Sequence, residues 1–229
     1  MADPWEQFAE VVRDMSSSDD TSTTMDAAVA GALDVIPHAH HAAISMIIKG
    51  SKVETVAASD PMVRRGDELQ YELGEGPCLQ SLQQEESVHS ADLATEERWP
   101  AWSKRVVDEL EVRSMLCLQL FVTHDAIGAL NIYSRDVDAF DQHDKTTALA
   151  LAAHIAVALS SANEIENLEA AIVNRTVIGQ AEGMLMQRYE MSPAAAFSVL
   201  ARVSQHQNKR LHEVARELVQ HGIKPRDLQ

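Results

Sequence analysis

The chain has 229 residues, with 19 Lys and Arg against 35 Asp and Glu and a formal net charge of −16. Hydrophobic residues at 45% and charged residues at 24% match a globular protein and exclude wholesale disorder. No apolar run approaches the ~18 residues of a membrane span, no basic region accompanies Asp3, Glu6 and Glu10 as a secretory signal requires, and Cys78 and Cys117 make neither a disulfide framework nor a zinc site.

In chain order, an amphipathic start (Trp5, Phe8, Val11, Val12) leads into the polar run Ser16 to Thr23, which reads as a linker. A helix is predicted from Thr24 to Ile36, with Met25, Ala28, Val29, Ala32 and Leu33 on one face and Pro37 stopping it. Two strands follow, Ala42 to Ile48 and Val53 to Ala58, split by the hairpin turn Lys49-Gly50-Ser51. The middle is less regular: Leu73-Gly74-Glu75-Gly76-Pro77 marks a tight loop, with a short helix from Pro77. Trp99 to Leu110 reads as a helix and Ser114 to Val122 as a strand; the turn His124-Asp125 precedes a further strand, Ala126 to Tyr133. Helices flanking a mainly antiparallel sheet make this an α+β architecture.

From Gln142 the pattern is helical. Leu151, Ile155, Ala158, Ala162, Ile165, Leu168 and Ile172 recur at three- and four-residue steps, and neither Gly nor Pro interrupts before Val173. A helix of ~30 residues is about 45 Å long, so its distal apolar stripe, Ser160 to Val173, is expected to pair with a second copy as a short coiled coil. Three short helices complete the chain. The first is Asn174 to Tyr189. The second opens at Ser192-Pro193, Ser as N-cap and Pro at the first helical position, and carries the face Ala196, Phe197, Leu200 and Val203. Asn208 is read as the cap of the third, whose stripe is Leu211, Val214, Ala215, Leu218 and Val219, closed by Gly222 and Pro225. The expected organisation is an N-terminal helix and linker over 1–23, a first domain over 24–160, a coiled-coil helix over 161–173 and a last domain over 174–229.

The charge is unevenly placed. From Asn174 to Arg226 eight basic residues face four acidic ones, a net +4 against −20 for the remainder. A positive appendage on an acidic body is the asymmetry of a polyanion binder.

Arg175, Val177-Ile178-Gly179-Gln180-Ala181-Glu182-Gly183-Met184-Leu185-Met186, Ala195-Ala196-Phe197-Ser198-Val199-Leu200, Asn208-Lys209-Arg210-Leu211 and Val214-Ala215 together resemble the ANTAR family of RNA-binding antitermination domains. Glu182 departs from the pattern, and a carboxylate there would weaken attraction to phosphate. Residues 24–160 resemble a GAF domain through Leu73-Gly74-Glu75-Gly76-Pro77-Cys78, Asp92-Leu93, Arg98-Trp99-Pro100, Ser114-Met115-Leu116, Ile127 to Ser134 and Phe140. The GAF resemblance implies about six antiparallel strands with helices on one face, and an unidentified small-molecule ligand on the other. The ANTAR resemblance implies binding of tandem hairpins in transcript leaders that favours an antiterminator over a terminator; composition points to a cytoplasmic protein with reduced thiols, and the apolar stripe to a homodimer.

Candidate RNA contacts are Asn208, Lys209 and Arg210, then Arg188, Gln180, Arg175 and Gly183. Lys and Arg hold phosphates, amides read unpaired bases, and a helix N-terminus attracts anions. Ala181 is better suited to helix packing. Two alternatives stay open. Helices two and three imitate a helix-turn-helix for duplex DNA, although Leu211 leaves few positions free for base edges. Some GAF proteins reduce free methionine sulfoxide with cysteine chemistry; Cys78, at a helix start that would lower its pKa, is the candidate redox residue, and Cys117 in an apolar strand is the expected buried thiol. No cofactor or metal is expected: His38, His40 and His41 lack acidic or Cys partners at ligand spacing, and no phosphate loop, HExxH or Ser/His/Asp set is present. Trp99 and Trp102 read as core.

Overall fold

The computed structural model describes residues 4–17, 20–48, 52–83, 87–122 and 125–222. These fall into two compact units, Met1–Glu164 and Ile165–Gln229. The turn Lys49-Gly50-Ser51, His124 and Pro225 lie outside the described residues.

The first unit holds helices α1 (Pro4–Ser16), α2 (Thr21–Val35), α3 (Pro61–Leu73), α4 (Pro77–Gln83) and α5 (Pro100–Leu110), and strands β1 (His41–Ile48), β2 (Lys52–Ala58), β3 (Ser87–Ser90), β4 (Ser114–Val122) and β5 (Asp125–Ser134). Among the described residues the sheet has five strands, ordered β2-β1-β5-β4-β3 and antiparallel throughout. Alternation along each strand sorts side chains to two faces. Ala42, Ile44, Leu116, Leu118, Leu120, Leu130 and Ile132 join α1, α2 and the start of α6 (Gln142–Tyr189) in one core. Ala43, Met115, Cys117, Ala129 and Tyr133 join α3, α4 and α5 in a second. Helices therefore cover both faces, which corrects the expectation of helices on one face only.

The linker expectation over Ser16 to Thr23 also narrows. Asp20 caps α2, its carboxylate accepting from the Thr23 amide at 2.9 Å and the Thr23 hydroxyl at 2.5 Å, so Thr21 to Thr23 are helical. α1 is held close because Gly31 of α2 has no side chain; a Cβ there would collide with Val11. Three elements were not predicted: α3, β3 and a single helical turn over Leu93–Thr95. Gly74, at φ 70°, ends α3 in the left-handed conformation that glycine adopts without steric cost. The next residue, Glu75, accepts from the amides of Ala101 and Trp102 at 2.6 and 2.7 Å, capping α5. The tight glycine loop thus ends one helix and starts another.

α6 runs unbroken for 48 residues, so the predicted division between Val173 and Asn174 does not interrupt it. Nothing at that point breaks a helix, and the glycines beyond it cost only about 1 kcal/mol each. α6 also contains an 18-residue window of mean hydropathy 1.4, long and apolar enough by length and composition to cross a membrane. This corrects the expectation that no segment comes near a span. In the fold, Ala148, Leu151, Ala152, Ile155, Ala156 and Leu159 of this helix are core residues against the sheet.

The second unit consists of the end of α6 with α7 (Pro193–Gln207) and α8 (Leu211–His221). Its core is Ala181, Leu185, Ala196, Leu200, Val214 and Ala215, with Val177, Ile178, Met186, Val199, Val203, Leu211, Leu218 and Val219 packed around it.

Candidate functional site

Ser192 caps α7, accepting from the Ala195 amide at 3.3 Å, and Pro193 begins it. At the other end Asn208 takes the left-handed conformation, φ 51°, and closes α7. It therefore ends the second helix and does not cap the third, a correction to the predicted role. Asn tolerates left-handed backbone better than most residues. The N-cap position of α8 belongs to Arg210, whose amide donates to Glu213 Oε2 at 3.1 Å. Glu213 thus occupies the positive end of α8, and the predicted helix-end anion site is already neutralised from within the chain.

The turn between α7 and α8 is braced by Ser204, whose hydroxyl donates to the Lys209 carbonyl at 2.6 Å. This fixes the backbone and leaves the side chains of Asn208, Lys209 and Arg210 exposed. Lys209 Nζ reaches across to Glu217 Oε1 at 2.5 Å. Such exposed pairs contribute about 0–1 kcal/mol, so a phosphate can displace the carboxylate at small cost.

Arg175, Gln180, Gly183 and Arg188 are exposed on the last turns of α6. Arg175, Gly179 and Gly183 recur at four-residue steps, the spacing of one helix face. A Cβ at either glycine would meet nothing within 4 Å, so neither is required by packing inside the chain. Ala181, in contrast, is fully buried in the helical core. Gly183→Ala should stabilise the chain by about 0.5–1 kcal/mol in urea unfolding; a loss of stability would mean that the glycine is needed for packing after all. One expectation fails outright here: Phe197, placed by sequence on the core face of α7, is 46% exposed. It lies 100° around the helix from Ala196, and a core this small buries only Ala196 and Leu200 of α7 fully, with Val199 and Val203 packed at its edge.

The first unit offers different chemistry. A cleft of about 580 Å³ is lined by Lys52, Val53, Glu54, Thr55, Arg64, Glu68, Tyr71 and Leu79. Its charges are of both signs, and Lys52 is paired with Glu54 at 2.6 Å. Behind its wall lies a polar cluster that sequence reasoning missed. Asp67 of α3 is fully buried and accepts from Thr55 at 2.9 Å, Ser45 at 3.2 Å, Asn131 at 3.2 and 3.3 Å, Gln70 at 3.2 Å and the Tyr133 hydroxyl. Tyr71 links the cleft to this cluster, donating to Ser45 at 2.8 Å and lying 3.0 Å from Thr55. Burial pushes the Asp67 carboxyl above its ordinary value, against the opposite pull of its donors. The available signal was polar residues at inward strand positions, Ser45 within β1 and Asn131 within β5.

Cys78 and Cys117 are both fully buried. The Cys78 amide donates to Gln70 at 2.8 Å. The Cys117 thiol donates to Asn131 Oδ1 at 2.9 Å and lies 3.1 Å from the Ser81 hydroxyl; burial raises its pKa well above the ordinary thiol value, with Cys78 adding to the shift. Thiol chemistry needs an accessible thiolate, and the geometry offers none. Trp99 and Trp102 pack edge to face, ring centroids 6.2 Å apart, inside the same core. His40 Nδ1 contacts Ser134 at 3.0 Å and the Arg135 amide at 3.2 Å. Among the described residues no group of three His, Cys, Asp or Glu is placed to hold a metal.

The family model of the GAF domain matches residues 18–160, and that of the ANTAR domain matches residues 166–219. Among curated proteins none matches the sequence. Solved structures resemble the fold at low identity. The GAF domain of an Acinetobacter phosphoenolpyruvate-protein phosphotransferase is 16% identical with a TM-score of 0.55, covering 73% of this chain and 99% of its own. A free methionine-R-sulfoxide reductase from Neisseria meningitidis, in complex with its substrate, is 14% identical with a TM-score of 0.57 over 72% of this chain and 95% of its own. The phytochrome photosensory core module of Stigmatella aurantiaca is 10% identical with a TM-score of 0.59, over 88% of this chain and 44% of its own.

Proposed function

Because the chain belongs to the GAF domain family and carries an ANTAR domain after it, we propose that it is a cytoplasmic transcription antitermination regulator that grips tandem hairpins in nascent RNA. ANTAR domains are known from RNA-binding antitermination regulators, and GAF domains are sensory; the architecture is that of a regulator rather than an enzyme. The observation that carries the reading is the coincidence of the ANTAR match with a separately packed three-helix unit whose turn presents Asn208, Lys209 and Arg210 to solvent. In this reading residues 24–160 sense, 161–173 couple, and 174–229 bind RNA. The mixed-charge cleft beside Thr55 and Tyr71 is the place for a small polar ligand.

Homodimerisation belongs to the same proposal. Leu168 and Ile172 are 59% and 66% exposed, and Ile165 and Val173 are also exposed. Ile165, Leu168 and Ile172 follow three- and four-residue steps, a coiled-coil seam, and pairing two chains would place two RNA-binding units on two hairpins. Sedimentation at working concentration should report twice the 25.2 kDa chain mass; a single-chain mass would remove the coil from the account. The binding test is competition between a two-hairpin RNA and duplex DNA of equal length. Preference for the RNA is expected. Equal or better competition by the duplex would favour a DNA-binding regulator.

A further inference from the structure

The two phenyl-type rings within residues 165–222, Tyr189 and Phe197, are both exposed, while the core of that unit is built from Ala, Leu, Val, Ile and Met. A phenyl ring buries more apolar area than any of those residues, so a small unit that withholds it from its core forgoes stabilisation. Its neighbours on α7 one turn away are Pro193, Ala194, Leu200 and Ala201; Leu200 belongs to the core, and the other three are small.

Charge marks the same region. The chain carries 35 acidic residues, yet Met191 to His212 contains none. That stretch holds Phe197, Arg202, Lys209 and Arg210. Along α7, Phe197, Ala201, Ser204 and Asn208 recur at steps of four, three and four, one line down the helix of about 16 Å. A half-exposed ring therefore stands at one end of a strip whose own residues carry no carboxylate, and the amide and two cations stand at the other, where Glu217 of α8 pairs with Lys209. Such a strip complements a polyanion whose units also carry flat apolar faces, and a folded hairpin loop has both: phosphates for the cations and an unstacked base for the ring.

We infer that Phe197 is a stacking platform for one unpaired base of the hairpin loop, a contact that accompanies phosphate binding by Lys209 and Arg210. The inference rests on the RNA-binding reading and adds to it a named residue and a base-level contact.

The test uses the full chain and an RNA selected by the native protein from a pool of tandem stem-loops with randomised loops. Phe197→Leu, which keeps an apolar side chain and the helix, should bind that RNA roughly tenfold or more weakly, while Phe197→Trp keeps near-native affinity. Replacing each loop base in turn by an abasic site should reveal one position that weakens the native chain by a similar factor and F197L no further. A 2-aminopurine at that position should be quenched by the native chain and F197W but not by F197L. Native affinity of F197L, with affinity lost in Lys209→Ala with Arg210→Ala, overturns the stacking assignment and leaves RNA binding standing. So does a change in sedimentation mass for F197L, which would assign the ring to a contact between copies. Failure of the native chain to select any RNA overturns the RNA-binding reading and the inference together.

Discussion

The double variant Lys209→Ala with Arg210→Ala should bind stem-loop RNA at least tenfold more weakly near physiological salt, and its plot of log affinity against log salt should flatten by about 1.4–1.8. Each cation that neutralises a phosphate releases counterions and contributes ~0.7 to the slope on single strands and ~0.9 on duplex, so losing two contacts sets that range. The turn makes both cations available: Ser204 fixes the backbone through the Lys209 carbonyl at 2.6 Å, so neither side chain is needed to hold the fold. Glu217 makes the prediction sharper. It competes with phosphate for Lys209 from 2.5 Å away, so Glu217→Gln should strengthen binding, the reverse of the effect of removing the lysine. An unchanged slope in the double variant would exclude this turn from the interface.

The second large effect concerns stability. Asp67→Ala should destabilise the first unit by about 3–5 kcal/mol, because several buried donors lose their acceptor at once and each unsatisfied group costs ~1–3 kcal/mol, reduced where they repair among themselves. Tyr71 and Ser45 already bond to each other, as do Asn131 and Ser45, so the loss is less than the full sum. Urea unfolding followed through Trp99 and Trp102 reads it directly, since Trp102 donates to the Gly66 carbonyl at 2.9 Å, one residue before Asp67. A urea slope of ~1–3 kcal/mol/M turns the loss into a midpoint shift of at least about 1 M. Asp67→Asn adds a test of sign. The Asp67 pKa is raised on folding, mainly by burial, so the folded chain holds that proton more tightly than the unfolded one. The contribution is full below the ordinary carboxylate range, ~4, and is lost as pH rises through the folded value. The stability gap between native chain and D67N should therefore narrow from pH 4 to pH 7. A gap that widens would mean that the buried group is held as a carboxylate by its donors.

How far the sequence anticipates these features depends on the range over which each is encoded. Local signals were legible. The strands around Ile44, Leu118 and Leu130 read as nearly continuous apolar runs, and Ser192-Pro193 starts α7. α3 was hidden because its buried face includes Gly66, Asp67 and Gln70 beside Val63 and Leu69, so hydrophobic periodicity is diluted by the polar cluster it carries. β3 is four residues with one buried apolar side chain, Val88, too little to read as alternation. The Asp67 cluster joins β1, β2, α3 and β5, with its Asn131–Ser45 bond spanning 86 positions, beyond any local pattern. Asn208 shows a different limit: Asn suits both a helix start and a left-handed helix end, and only the placement of Arg210 and Glu213 decides between them. Phe197 shows a third, since periodicity places a residue near a face but the size of the core decides whether it is covered.

RNA gripped by this chain should change the fate of transcription. Leaders recovered by crosslinking in the native cell, placed upstream of their terminators on a template, allow this to be measured by single-round transcription with and without purified protein. Full-length transcript should increase with the native chain and fall back with Lys209→Ala and Arg210→Ala. Termination that is unaffected by saturating native protein on its own recovered leaders would contradict antitermination as the function.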